Sequence, residues 1–83
     1  MYYLYLLLCE DQSLYTGITT NLERRLKQHE TNKGSKYVKA KRPKRIIYSE
    51  QFQSRSLALK REAQIKKMTR EEKWGLVKER KSL

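Results

Sequence analysis

Residues Tyr2–Cys9 form a near-continuous apolar and aromatic run of strand length. A strand apolar on both faces needs cover on both, so the pattern predicts the central strand of a sheet. Glu10-Asp11-Gln12-Ser13 is a polar break of hairpin type, after which Leu14–Thr19 returns as a second, antiparallel strand. Gly17 interrupts that strand, a sign of a bulge or of another group coming close to the backbone.

The period then changes from two to helical. Thr20 with Glu23 three residues later has the capping-box pattern, and Leu22, Leu26 and His29 recur on one face with Arg25 beside them. The helix is expected to fade by Asn32, with Gly34 as its left-handed cap. Lys33–Arg45 reads as a basic loop, Ile46–Phe52 as a third strand with Ile46 and Tyr48 on one face and Ile47 on the other. Ser54 or Ser56 caps a further helix to about Met68, with Ala58, Leu59 and Ile65 as its stripe and Ala63 one step aside. Thr69 and Glu72 repeat the capping box and start a last helix to about Arg80, edged by Trp74 and Val77. No internal repeat or linker breaks the chain, so one domain over residues 1–83 is expected. The fold class is α+β: a three-stranded antiparallel sheet flanked by helices in the order β-β-α-β-α-α.

One position breaks this patterning. Glu62 falls inside the apolar stripe of its helix, four residues after Ala58 and three before Ile65, while Lys60, Arg61, Lys66 and Lys67 take the other faces. An inward carboxylate needs a partner, either an arginine or a metal ion.

Charge narrows the partner. Twenty Lys and Arg against nine Asp and Glu give +11 in 83 residues, a field that attracts polyanions, with nucleic acid the default. The density peaks in Lys33–Arg45, where seven of thirteen residues are Lys or Arg around Tyr37. Cations interleaved with an aromatic ring suit phosphate contacts with base or sugar stacking. The single cysteine, Cys9, excludes an internal disulfide framework and a cysteine-cluster zinc site, and its place in an apolar run reads as a buried structural thiol. Met1–Cys9 is too short to span a bilayer and lacks the basic n-region and cleavage site of a secretory signal, so no membrane role and a cytoplasmic location are expected.

The sequence has no Ser-His-Asp order, no phosphate-cradling glycine loop and no zinc spacing. It retains Tyr5 and Tyr15 on strands, Arg25 and His29 on one helix, and Glu62 on another. Each type has a use in phosphodiester hydrolysis. One or two carboxylates suffice for Mg²⁺, because water and phosphate fill its other positions. Arginine matches a phosphate in geometry and charge. A tyrosine or histidine beside cations can take a proton from water.

Tyr3-Leu4-Tyr5, Tyr15-Thr16-Gly17, the run from Gly17 to Leu26 that ends in Arg24-Arg25-Leu26, Lys33-Gly34-Ser35-Lys36-Tyr37 and the run from Arg55 to Glu62 follow in order over about Tyr2 to Arg80. Together they resemble the GIY-YIG nuclease superfamily, and within it the small, stand-alone bacterial branch. The first two triplets stand at its Gly-Ile-Tyr and Tyr-Ile-Gly motifs, Arg25 at its motif arginine and Glu62 at its metal-binding glutamate. The resemblance implies an endonuclease with one Mg²⁺ (or Mn²⁺) held by Glu62 on the scissile phosphate. Arg25 would stabilise the transition state, Tyr15 or His29 would take a proton from the attacking water, and Tyr5 would hydrogen-bond the base or the phosphate. Gly17 would let the nucleic-acid backbone approach, and Lys33, Lys36, Tyr37, Lys39, Lys41 and Arg42 would bind it. The expected partner is nucleic acid, DNA over RNA, in repair or processing of branched or damaged substrates, with no small-molecule cofactor and the oligomeric state open.

Three positions depart from the family pattern: Tyr3 replaces the first motif glycine, Ile18 stands where excision-repair relatives carry lysine, and no asparagine follows Glu62. The last two support the alternative of a non-catalytic nucleic-acid-binding module that keeps the fold.

Overall fold

The computed structural model describes residues 1–30 and 42–81 of the chain. Strand β1 (Tyr2–Cys9) is central, with β2 (Leu14–Thr19) on one side and β3 (Pro43–Phe52) on the other, both antiparallel to it. Helices α1 (Leu22–Glu30), α2 (Arg55–Lys66) and α3 (Arg70–Lys81) complete the order β-β-α-β-α-α among the described elements.

The apolar run of β1 is explained by helices on both sides of the sheet. Leu4, Leu6 and Leu8 point to one face, where they meet Leu14, Ile65 of α2 and Val77 of α3, with Met68, Trp74 and Leu76 at the margin. Tyr5 and Leu7 point to the other, against Tyr15, Ile46 and the Leu22–Leu26 stripe of α1. Full burial of each leucine stabilises the fold by about 1.5–3 kcal/mol, so this one strand anchors both layers. Cys9 is buried at its end, as a structural thiol should be.

The third strand differs from its expected form. It starts at Pro43, three residues before Ile46, with the proline at the strand's first position, where a missing N–H is tolerated. Its pairing with β1 shifts register between Leu6 and Leu7 and again between Leu8 and Cys9. The first shift leaves Ile47 as an extra residue. Ile46 therefore lies opposite Leu7 on the Tyr5 face, while Ile47 and Tyr48 both join the Leu4–Leu6–Leu8 cluster. A bulge of this kind breaks simple alternation, and so the expected pairing of Ile46 with Tyr48 on one face fails.

The helix starts follow cap chemistry. The cap of α1 is Asn21, whose Oδ1 accepts the Arg24 N–H at 3.0 Å, rather than a Thr20–Glu23 box. Thr19 Oγ1 braces Asn21 from behind by accepting its N–H at 3.2 Å. Asparagine outranks threonine as an N-cap, which decides between adjacent candidates. The proposed Gly34 cap at the far end lies outside the described residues. Ser54 caps α2, accepting from Leu57 N–H, and the Thr69–Glu72 box of α3 forms as expected, with reciprocal bonds of 2.9 and 3.2 Å. Along α2, Ala58 and Ile65 are buried, but Leu59 and Ala63 are exposed, so the buried stripe is narrower than the sequence pattern indicates.

Gly17 lies directly opposite Tyr5 in the β1–β2 ladder. A Cβ at position 17 would stand 2.6 Å from the Tyr5 hydroxyl oxygen and 2.7 Å from Cζ, inside van der Waals contact with a rigid ring. The glycine is therefore the space that the tyrosine occupies. Gly17→Ala is expected to destabilise the fold by about 1–3 kcal/mol, by forcing the Tyr5 ring from its pocket. A urea titration would register this as a lower midpoint at unchanged slope.

Candidate active site

The Tyr5 ring, laid across Gly17, ends in a hydroxyl that meets two side chains of α1. His29 Nε2 is 3.0 Å away, and the Arg25 Nε–H donates to the hydroxyl at 3.3 Å. Residues 25 and 29 are one helical turn apart, so a single strand residue can engage both. Arg25 also donates from Nη1 to Gln28 Oε1 at 3.2 Å. Tyr15 closes the group. Its ring centroid is 6.4 Å from that of Tyr5 and 5.6 Å from His29, edge-on to the imidazole. The hairpin, α1 and the Gly17 gap thus bring Tyr5, Tyr15, Arg25 and His29 into one cluster.

Glu62 reaches the same region from α2. Its side chain is 17% exposed and pairs with Lys66 one turn on, at 3.6 Å. The Glu62 charge is felt at Tyr5, where it adds to the upward shift of the phenol. Among the described residues the inward carboxylate thus pairs with a lysine, not with the arginine that its position suggested.

Burial divides the cluster in two. Tyr5 is 0% exposed and His29 1%, whereas Tyr15, Arg25 and Glu62 retain accessible surface. Burial pushes the Tyr5 phenol above its ordinary 10.0, against the lowering effect of the Arg25 hydrogen bond. Burial, and then the Arg25 charge, push His29 below 6.5, so its ring is neutral at pH 7. The Arg25 guanidinium is pushed upward, chiefly through its bond to Tyr5 and despite partial burial, with the Tyr15 hydroxyl contributing further. The result is a fixed cation at the surface over a neutral, buried hydrogen-bonded pair.

This arrangement has relatives. The family model for the GIY-YIG catalytic domain matches residues 1–75. The chain belongs to the GIY-YIG family. A UPF0213 protein of Staphylococcus haemolyticus is 46% identical over 79 residues, covering 95% of this chain and 96% of its own. Another, from Syntrophus aciditrophicus, is 51% identical over 78 residues, covering 93% and 90%. Two solution structures share the fold. That of a UPF0213 protein from Bacillus halodurans has a TM-score of 0.60 at 39% identity, over 94% of this chain and 84% of that one. The other, of a protein from E. faecalis, has a TM-score of 0.67 at 44% identity, over 99% and 88%. The GIY-YIG domain is a nuclease domain, its substrate nucleic acid, and its members generally use a divalent metal.

The donor set fits such a metal in a limited way. Among the described residues no three His, Cys, Asp or Glu side chains gather to form a cage. Glu62 alone, partly exposed and close to Tyr5, suits a hard cation that takes its remaining positions from water and a phosphate. No helix among the described residues is long and apolar enough to cross a membrane.

The basic residues expected to bind nucleic acid are less informative. Lys33, Lys36, Tyr37, Lys39 and Lys41 lie outside the described residues. Arg42 is exposed at the hairpin end, where its Nη1 stands 3.9 Å from Glu10 Oε2. Its carbonyl accepts the Glu10 N–H, five residues along the chain from Tyr5, which at strand rise is roughly 16 Å. The structure therefore does not bring Arg42 to the cluster.

Sequence reasoning missed a brace beside Glu62. Arg61 grips Glu50 of β3 with Nε at 2.9 Å from Oε1 and Nη2 at 3.1 Å from Oε2, and the Tyr48 hydroxyl donates to the same carboxylate. Burial and the Glu50 bond both push the Tyr48 phenol upward. This fork ties α2 to the sheet at the residue next to Glu62. Glu50 two residues after Tyr48 on a strand, with an arginine on a later helix, was the available signal, but the pairing is non-local. Glu50→Gln is expected to cost about 1–3 kcal/mol, because Arg61 loses its charged acceptor in a partly buried site. Chemical denaturation would measure it.

His29 adds a pH dependence with a definite sign. Its folded-state value lies below 6.5, so between the two values the unfolded chain binds the proton and the folded chain does not. The stabilisation from neutral His29 is full above about 6.5 and declines as pH falls below it. Urea midpoints from pH 8 to 5 should fall less steeply in His29→Gln than in the parent chain.

Proposed function

We propose that this protein is a divalent-metal-dependent endonuclease that hydrolyses phosphodiester bonds in nucleic acid, DNA in preference to RNA, in repair or processing of branched or damaged substrates. The observation that carries the reading is Arg25: a surface guanidinium fixed from behind by Tyr5 and flanked by Tyr15, with the charge of Glu62 felt at the same Tyr5. Its Nε–H and Nη1–H are bonded to Tyr5 and Gln28, which orients a planar fork whose geometry and charge match a phosphate.

Glu62 would hold Mg²⁺ or Mn²⁺, with Lys66 giving way as its counter-charge. The bound ion supplies charge neutralisation at the phosphate. Arg25 binds the non-bridging oxygens and meets the negative charge that grows on them in the transition state. Tyr15, the reachable tyrosine, acts in its phenolate form: it takes the proton of the attacking water and becomes the phenol as the water oxygen bonds to phosphorus. The oxygen of the leaving strand takes a proton from solvent as its bond to phosphorus breaks. His29 and Tyr5 are too buried to touch the substrate, so they act as positioning residues that hold Arg25. Water attack needs no 2′-hydroxyl, which is why DNA suffices as substrate. Contacts of this kind grip the backbone and carry no base information, which favours recognition of structure over sequence.

Four substitutions test the assignment. Arg25→Ala and Glu62→Gln are expected to lower kcat by about 10³-fold or more while leaving a folded chain. Tyr15→Phe should cost about 10²–10⁴-fold, and His29→Gln markedly less. If His29→Gln removes cleavage and Tyr15→Phe does not, the proton acceptor is His29. If both Arg25→Ala and Glu62→Gln cleave like the parent, the site is elsewhere. Salt-sensitive binding with no cleavage by the parent chain would favour a binding module.

A further inference from the structure

At the turn of the β1–β2 hairpin, Ser13 and Leu14 face Arg70 and Lys73 of α3 across a hollow of about 260 Å³. Arg70 Nη2 leans on the Asp11 carbonyl at 3.5 Å, and Lys73 lies three residues further along the helix, half-buried. Among the described residues, neither cation forms an ion pair with a carboxylate. Glu72 is turned to the helix start, where it accepts the Thr69 N–H, and Asp11 Oδ1 accepts both the N–H and the hydroxyl of Ser13. An ammonium that has lost part of its water and gained no anion is unfavourably placed. Burial, followed by the charge of Lys66, accordingly pushes Lys73 below its ordinary 10.5.

Lys66 connects this hollow to the active site. It pairs with Glu62 on one side and is close enough to repel Lys73 on the other. Leu14 is three residues along β2 from Gly17, roughly 10 Å at strand rise. Among the described residues β2 is an edge strand, so no further described strand stands in the way of a polymer crossing from one point to the other.

We propose that the hollow is a second phosphate site, in which Arg70 and Lys73 hold a backbone phosphate of the nucleic acid while the bond to be cut lies at Arg25 and Glu62. The site deepens the nuclease reading and rests on it. A phosphate supplies the anion that Lys73 lacks, and two anchored phosphates fix the direction of a strand across β2, which one contact cannot do.

The test is binding of a labelled duplex in EDTA, followed by fluorescence anisotropy over a range of salt. The proteins are the parent chain, Arg70→Gln, Lys73→Met and their double variant, with Lys78→Gln as a control for loss of one charge from an exposed part of α3. Methionine keeps the packed stem of Lys73, and a thermal melt checks each fold. Each site variant is expected to weaken binding several-fold and to reduce the salt slope by about 0.9, the double by about twice that, with Lys78→Gln close to the parent. In cleavage, KM should rise while kcat holds. A double variant with the parent's slope and KM would overturn the second site while leaving the nuclease reading intact. A parent chain that binds no nucleic acid would contradict both, and that result is read before any variant is compared.

Discussion

The hydrogen-bonded junction at the Tyr5 hydroxyl is the constraint on which the site depends. Its oxygen lies 3.0 Å from His29 Nε2 and 3.3 Å from Arg25 Nε, and the ring that carries it fills the space left open at Gly17. The junction joins the central strand, its hairpin partner and the first helix through one side chain. A buried hydroxyl is costly to leave unpaired, so the protein interior itself enforces the position of Arg25. His29, held neutral by burial and by the adjacent guanidinium, adds no competing charge.

Around this junction the charges are arranged with few carboxylates to spare. Glu62 is balanced by Lys66, and Glu50 is held by Arg61 and Tyr48, whereas Arg70 and Lys73 have no such counter-charge among the described residues. The distinction separates structure from binding. The Arg61–Glu50 fork ties α2 to β3 and is shielded enough to contribute to stability, while an exposed pair such as Arg42–Glu10 contributes little. The surplus cations are those that an anionic polymer would satisfy, in keeping with a chain of net charge +11.

Much of this was legible in the sequence because β1 is apolar throughout. A strand without alternation must be central, and both first strands have the bounds that the pattern gives them. Tyr5, Tyr15, Arg25 and His29 could be grouped from helical spacing and hairpin pairing together with the family resemblance. Where local patterning failed, the cause was non-local or a choice between near-equal neighbours. The bulge at Ile47 moved Ile46 to the other face, and Asn21 took the cap from Thr20. Burial could not be read from residue types. Residue type alone does not separate Tyr5, sealed beneath α1, from Tyr15, which keeps access to solvent. The Glu50–Arg61 fork likewise spans eleven residues and two elements.

The most direct measurement is cleavage by the parent chain of labelled duplex, single-stranded, branched and RNA substrates, each with Mg²⁺, Mn²⁺ or EDTA. A Glu62→Gln chain purified in parallel excludes a contaminating nuclease. The expected result is cutting of DNA that requires the metal, is strongest on the branched form and disappears with Glu62→Gln. Binding without cutting under every metal condition, or cutting that persists in EDTA and in Glu62→Gln, would contradict it.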